Sequence, residues 1–247
     1  MSSYHVTENA LENKVILVTG AGDGIGKEAA LQFARHGAEV ILLGRTVEKL
    51  EAVYDTIIAE QGKEPAIVPL DLNGATPTHY QQLAQTIKEQ FGRLDGLLHN
   101  ASVLGNLRPF AQIPVEEWQH VMQVNLNSEF FMTQALLEVL LLSETASVVF
   151  TSSGVGRQGR AYWGTYAISK FATEGMMQVL ADEYSSSGLR FNCINPGATR
   201  TSMRAKAYPG EDPMKLRTPA EIMPVYLYLM SDQSKDISGQ SLDAQPK

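Results

Sequence analysis

The chain has 247 residues, 44% of them hydrophobic and 19% charged, with a formal net charge of −7 at pH 7. This fits one α/β domain over residues 1–247, and the acidic balance excludes nucleic acid as the main partner, because phosphate binding needs a clustered basic excess. A lone cysteine, Cys193, excludes a disulfide scaffold and a cysteine metal site. No apolar run approaches the ~20 residues of a membrane span. Residues 1–12 are polar and lack a signal-peptide core, so a cytoplasmic location is expected.

Lys14-Val-Ile-Leu-Val-Thr-Gly-Ala-Gly-Asp-Gly-Ile-Gly26 is the stretch around which the chain is organised. Its four consecutive apolar residues predict a strand buried on both faces, as in a parallel sheet. Glycines at 20, 22, 24 and 26 then lead into a helical pattern over residues 27–35 that stops at Gly37. A strand, a glycine turn and a helix in that order make a phosphate cradle. Glycines admit the pyrophosphate close to the backbone, and free N–H groups at the helix start favour negative charge.

Residues 38–43 predict a second buried strand ending at Gly44-Arg45, and residues 47–61 a helix closed by Gly62. A third strand over 66–70 leads into Asp71-Leu72. It is followed by a helix over 76–91 and a weaker strand over 94–99 before Asn100-Ala101-Ser102. Alternating strands and helices imply right-handed crossovers and a parallel sheet. From Pro114 a single long helix is expected to about residue 142, apolar nearly all round in its later part and so buried on more than one side. A fifth strand over 147–150 opens into a Gly-rich segment. A helix over 163–186, a sixth strand over 189–194 closed by Asn195-Pro-Gly197, and a polar segment to Arg217 come next. A helix over 219–230 and a last strand near Ser241-Leu242 complete the pattern, giving seven strands.

Ligands of such sheets sit beyond the carboxyl ends of the strands. Gly20 to Gly26, Gly44-Arg45, Asp71, Asn100, Ser152-Ser153 and Pro196-Gly197 stand there. Tyr166 and Lys170, four residues apart, share one face of the next helix.

With these residues in place, the chain resembles the short-chain dehydrogenase/reductases over nearly its whole length. Thr19-Gly20-x-x-x-Gly24-Ile25-Gly26 is similar to that family's cofactor loop, and Tyr166-Ala-Ile-Ser-Lys170 to its Tyr-x-x-x-Lys pair. Ser153 stands at the spacing of the catalytic serine, and Asn125 in Val-Asn-Leu matches the helix asparagine of the tetrad. Asp71, with Leu72 beside it, matches the acidic residue at the adenine. Pro196-Gly197 with Thr201 resembles the segment at the nicotinamide end. Two places depart from the pattern. His99-Asn100-Ala101-Ser102 replaces the usual Asn-Asn-Ala-Gly, although Asn100 and Ala101 persist, and the chain ends without the frequent Asp-Gly-Gly.

The resemblance implies a doubly wound, Rossmann-like parallel sheet and hydride transfer between a nicotinamide cofactor and a small-molecule carbonyl or alcohol. It assigns Tyr166 as general acid/base and Lys170 as the cation favouring its phenolate. Ser153 would hydrogen-bond the substrate oxygen, and Asn125 would anchor a water on Lys170. Free tyrosine ionises near pH ~10, and one ammonium at ~4 Å offers about 4 kcal/mol of help at an effective dielectric of 20. NADP(H) is expected over NAD(H), the other option, because Gly44-Arg45 replaces the acidic residue that binds a ribose 2′-hydroxyl. Asp23 inside the loop counts against this. The contrasting class is a catalytically silent dinucleotide-binding sensor or scaffold, which should show a broken Tyr/Lys/Ser set; this chain retains all three. No histidine or cysteine cluster suggests a metal.

A homodimer or homotetramer is expected from the apolar faces of the helices that carry Phe130 and Phe171, Met176 and Met177. Residues 198–218 are the expected substrate-side lid. Between Arg200 and Arg217 it holds Arg200, Arg204, Lys206, Lys215 and Arg217 against Glu211 and Asp212, a cationic excess that reads either as a loop with its charges solvated or as a surface steering an anionic substrate.

Overall fold

The computed structural model describes residues 4–246. Seven parallel strands form one sheet: β1 (Val15–Thr19), β2 (Glu39–Gly44), β3 (Ala66–Pro69), β4 (Gly96–His99), β5 (Ala146–Thr151), β6 (Leu189–Asn195) and β7 (Ser241–Asp243). Their spatial order is β3-β2-β1-β4-β5-β6-β7. The chain winds outward from β1 to β3, returns to pair β4 on the other side of β1, and winds outward again. The crevice between the carboxyl ends of β1 and β4 is therefore the switch point where such sheets hold ligands.

Every residue of β1 is buried, and its side chains alternate between two cores. Ile16 and Val18 face a core with Val40, Leu42, Phe33 and Tyr226. This layer holds α1 (Gly24–Arg35), α2 (Val47–Ala59) and a short C-terminal helix over residues 223–230. Val15 and Leu17 face the other core with Leu97, Phe150, Met132, Leu136 and Tyr80. Two faces of aliphatic burial explain the unbroken apolar runs in the sequence.

On that second side pack α3 (Pro77–Phe91), α4 (Val115–Met122), α5 (Ser128–Leu140) and α6 (Gly164–Glu183). The single helix expected from Pro114 is in fact α4 and α5 joined by a π-type turn over Gln123–Asn127. The wider turn coincides with Asn125, whose buried amide bonds a neighbouring loop. Met177 also departs from expectation: it lies in the core, whereas Phe171 is exposed. A short helix α7 (Ser202–Ala207), for which no element was expected, stands in the polar segment, started by the Thr201 side chain accepting from Arg204 N. The helix expected from residue 219 begins only at α8 (Met223–Met230), after a 3-10 turn, with Pro224 suited to its first turn.

No helix among the described residues is long and apolar enough to cross a membrane.

Candidate active site

A cleft of about 860 Å³ opens over the carboxyl ends of the strands. Gly20, Gly24, Ile25, Arg45, Asp71, Leu72, Asn100, Ala101, Ser153, Tyr166, Pro196, Gly197 and Thr201 all line it. Of the expected site residues, Gly26, Asn125 and Lys170 stand behind its wall.

The floor is built on Thr19 at the end of β1. Its hydroxyl accepts from the backbone N–H groups of Asn100 (2.9 Å) and Ala101 (3.0 Å) and lies 3.3 Å from the Leu98 carbonyl. One side chain thus ties the two strand ends at the switch point. Gly20 and Gly24 have φ of +67° and +54°, where a side chain would be strained. A Cβ at Gly26 would strike the carbonyl oxygen of Gly20, so this glycine seats α1 against the loop. The result is a backbone cradle at the N-terminus of a 12-residue helix, the geometry that receives a pyrophosphate. A dinucleotide cofactor fits these residues.

Beyond the end of β2, Arg45 is exposed on the rim and makes no ion pair among the described residues. Asp23 caps α1, accepting from Gly24 N at 2.8 Å, and its other oxygen meets Lys49 Nζ. The hydrogen bond from Lys49 holds the Asp23 carboxyl below the usual carboxylate range, although burial acts in the opposite direction. The charge that counted against a 2′-phosphate therefore carries its own counter-ion.

At the other end, Ser153 and Tyr166 open into the same space. Ser153 Oγ lies 3.4 Å from Val155 N, a weak contact that starts a 3-10 turn over Gly154–Gly156. This turn packs on α6, since a Cβ at Gly156 would approach Lys170 Cβ to 2.9 Å. Helical spacing puts Lys170 one turn beyond Tyr166, with Nζ 6.0 Å from the centroid of the phenol ring. Tyr166 retains 8% exposure and Lys170 only 1%.

Asn125 is completely buried. Its Oδ1 accepts from Val103 N (2.8 Å), and its Nδ2 donates to Val103 O (2.9 Å) and Ser169 Oγ (3.1 Å). The side-chain amide therefore fastens the π-type turn to the loop after β4 and to α6. Both N–H groups of that amide are used, so a water between Asn125 and Lys170 would donate to an Asn125 oxygen.

Three residues that sequence reasoning passed over also shape the site. Glu129, one helical turn beyond Asn125, places a buried carboxylate oxygen 3.6 Å from Lys170 Nζ. The i, i+4 spacing from Asn125 was the available signal. Lys49 is the second, through its ion pair with Asp23. Gln245 near the C-terminus is the third, donating through Nε2 to the carbonyls of Pro196 (2.8 Å) and Ala198 (3.1 Å). It holds the loop where Gly197 takes φ of +70°. No motif marked it.

His99 does not face the cleft. It stacks on Phe150 at 4.9 Å and shares a 2.9 Å hydrogen bond with Thr133 Oγ1. Burial first, and the Lys170 charge second, push its pKa down to about 3, so it is neutral near pH 7.

The segment after β6 is less cationic toward the cleft than its composition suggests. Arg204 forms a two-point bridge to Glu211 at 2.6 Å and stacks on Tyr208 at 3.8 Å. Arg200 donates to the carbonyls of Pro213 and Leu216. Lys206 is exposed on the cleft wall, while Trp163, Leu104 and Met203 give the inner part of the cleft an apolar lining. Among the described residues there is no group of three or more potential metal ligands.

Residues 14–212 match the model of the short chain dehydrogenase family. An oxidoreductase of Escherichia coli K12, YciK, is 58% identical over 243 residues, spanning 98% of this chain and 96% of that protein. Two solved structures of short chain dehydrogenases superpose with a TM-score of 0.95, each 58% identical. One, from E. coli CFT073 in complex with NADPH, covers 98% of this chain and 100% of its own. The other, from Shigella flexneri in complex with NADP, covers 97% and 100%.

Proposed function

The chain belongs to the short-chain dehydrogenase family, and we propose that it transfers hydride between NADP(H) and a small carbonyl or alcohol substrate, with Tyr166 as proton donor and acceptor. One observation carries this reading: Ser153 and Tyr166 face the same cleft as the glycine cradle, with the Lys170 ammonium behind the phenol ring. When bound, the nicotinamide supplies or takes the hydride. The chain's own residues manage the proton and the charge on oxygen.

In the reducing direction Tyr166 Oη gives its proton to the carbonyl oxygen as negative charge develops there. Ser153 Oγ donates a hydrogen bond to the same oxygen. Lys170 stabilises the phenolate left on Tyr166, because an ammonium in a dry site acts with little screening. Asn125 is a positioning residue, holding the α4–α5 junction against α6. At the other end, Arg45 is placed to pair with a 2′-phosphate, and the partnering of Asp23 by Lys49 removes the main objection to one. The NADPH and NADP complexes of relatives support this choice. Asp71 and Leu72 border the adenine, while Pro196, Gly197 and Thr201 border the nicotinamide. Residues 198–218, which include α7, act as the substrate-side lid, and the exposed faces of α5 and α6 mediate self-association.

Turnover of a carbonyl panel with NADPH tests the function. Tyr166→Phe should lower kcat at least a hundredfold, within the usual range for a lost acid–base group, while NADPH affinity stays within about twofold. Wild-type rates in Tyr166→Phe would refute the assignment. NADPH binding without turnover on any carbonyl would favour the sensor reading.

A further inference from the structure

Glu129 is a buried carboxylate that the proposed mechanism does not use. Its Oε1 lies 3.6 Å from Lys170 Nζ, and its Oε2 accepts from Thr173 Oγ1 at 2.7 Å. The two side chains are only 2% and 1% exposed. Oε1 has no hydrogen-bond partner among the described residues. It therefore faces the ammonium at ion-pair distance. Burial raises the Glu129 pKa to about 6, with Lys170 and Thr173 working in the other direction, so the group is ionised at neutral pH.

The other titratable groups around this pair carry no free charge. From β4, His99 is kept neutral by burial and by Lys170. From β6, burial pushes the Cys193 thiol up, and from α8 it does the same to the Tyr226 phenol. On α6, Glu174 accepts from Ser241 Oγ at 2.8 Å and has Arg157 3.6 Å away as its own counter-ion. Lys170 and Glu129 are thus the opposed charges beneath Tyr166.

An isolated ammonium would favour the phenolate of Tyr166. A carboxylate beside it turns the single charge into a dipole, whose field at the phenol is much weaker. Resting on the reading of Tyr166 as proton donor, we propose that Glu129 offsets the charge of Lys170 at the Tyr166 phenol and so weakens the pull of the ammonium toward the phenolate. Glu129 lines no part of the cleft and acts through Lys170, as a positioning and charge-compensating residue.

Ultraviolet difference titration of tyrosinate in the full chain, without cofactor, tests this directly. Subtracting the Tyr166→Phe curve from the wild-type curve isolates the Tyr166 step, and the same subtraction is made in a Glu129→Gln background. Loss of the carboxylate should move the midpoint down by about one pH unit, a tenfold change in proton concentration. Glu129→Asp, which keeps the charge, should stay much closer to wild type. An unchanged midpoint in Glu129→Gln overturns the proposal. A raised midpoint does so too, since it would mean that Glu129 keeps Lys170 charged.

If Glu129→Gln does not fold, wild-type protein labelled at the tyrosine ring carbons gives the answer by NMR. The Tyr166 resonance should step as Glu129 takes up its proton on acidification, and a trace flat across the whole pH range of the folded protein overturns the proposal. Turnover of Tyr166→Phe with NADPH and diacetyl reports separately on the proton-donor reading. A fully active Tyr166→Phe protein ends that reading; an inert one beside an unshifted midpoint ends only the role of Glu129.

Discussion

Lys49 on α2 reaches across the glycine loop to the carboxylate of Asp23, the residue that caps α1. The pair is more than half exposed on both sides, so it adds little to stability. Its consequence is electrostatic and local: it sets the charge beside Arg45 on the rim of the cleft.

Arg45→Ala should weaken NADPH binding about tenfold or more while changing NADH little, because a charge-assisted bond to phosphate is worth roughly 1.5–3 kcal/mol. Lys49→Ala should also disfavour NADPH, by leaving the Asp23 charge uncompensated. Asp23→Asn, which keeps a good helix cap, should partly restore affinity in the Lys49→Ala background. Titration calorimetry with both cofactors decides; tighter binding of NADH than NADPH to wild type would refute the preference.

Gln245→Ala should loosen the loop that carries Pro196 and Gly197, since its amide donates to two carbonyls there. Gln245→Glu should be worse, because it turns a donor toward those carbonyls into an acceptor. The expected readout is a smaller NADPH-induced rise in Tm in both variants. An unaltered rise would make the tail irrelevant to the site.

The protein should sediment as a dimer or larger. Phe130 on α5 is 47% exposed and Phe171 on α6 is 44% exposed, and Ile168 and Val179 add to the α6 surface. A large exposed apolar face of this kind marks an interaction surface. Phe130→Glu with Phe171→Glu should yield monomers with a lower Tm. A wild-type monomer at micromolar concentration would refute this expectation.

His99 makes stability depend on acid. Its folded pKa of about 3 lies below the ordinary 6.5, so the unfolded chain takes up this proton first as pH falls. Between pH ~7.5 and ~5 this destabilises the fold by about 2 kcal/mol. Glu129 acts in the opposite sense. Its folded pKa of about 6 lies above the ordinary 4.5, so its contribution grows as pH falls through 6. His99 has the larger shift and should dominate. Thermal unfolding should show Tm falling over this window in wild type and holding or rising in His99→Gln. An equal fall in both proteins would exclude His99 as the cause.

Much of this architecture was legible in the chain alone, for a physical reason. A strand buried on both faces must be continuously apolar, and backbone that closes on a phosphate must be glycine. Residues 15–26 carry both signatures, and Val40–Leu43 repeats the first in β2, whereas β6 includes Arg190 and Asn192 and β7 is only half-buried. Tyr166 and Lys170 were also readable, because one helix places residues four apart on one face. Interactions between distant segments were not. Asn125 sits in a π-type turn whose amide answers Val103, and nothing local in 115–140 signals the break. The face on which Met177 lies was decided by the packing of α6 on the sheet. Charges were the least legible of all. A composition lists Arg204, Lys49 and Glu129 as unit charges, but only the tertiary structure sets each beside its partner. Coulomb energy depends on distance and on exclusion of water, and folding alone decides both.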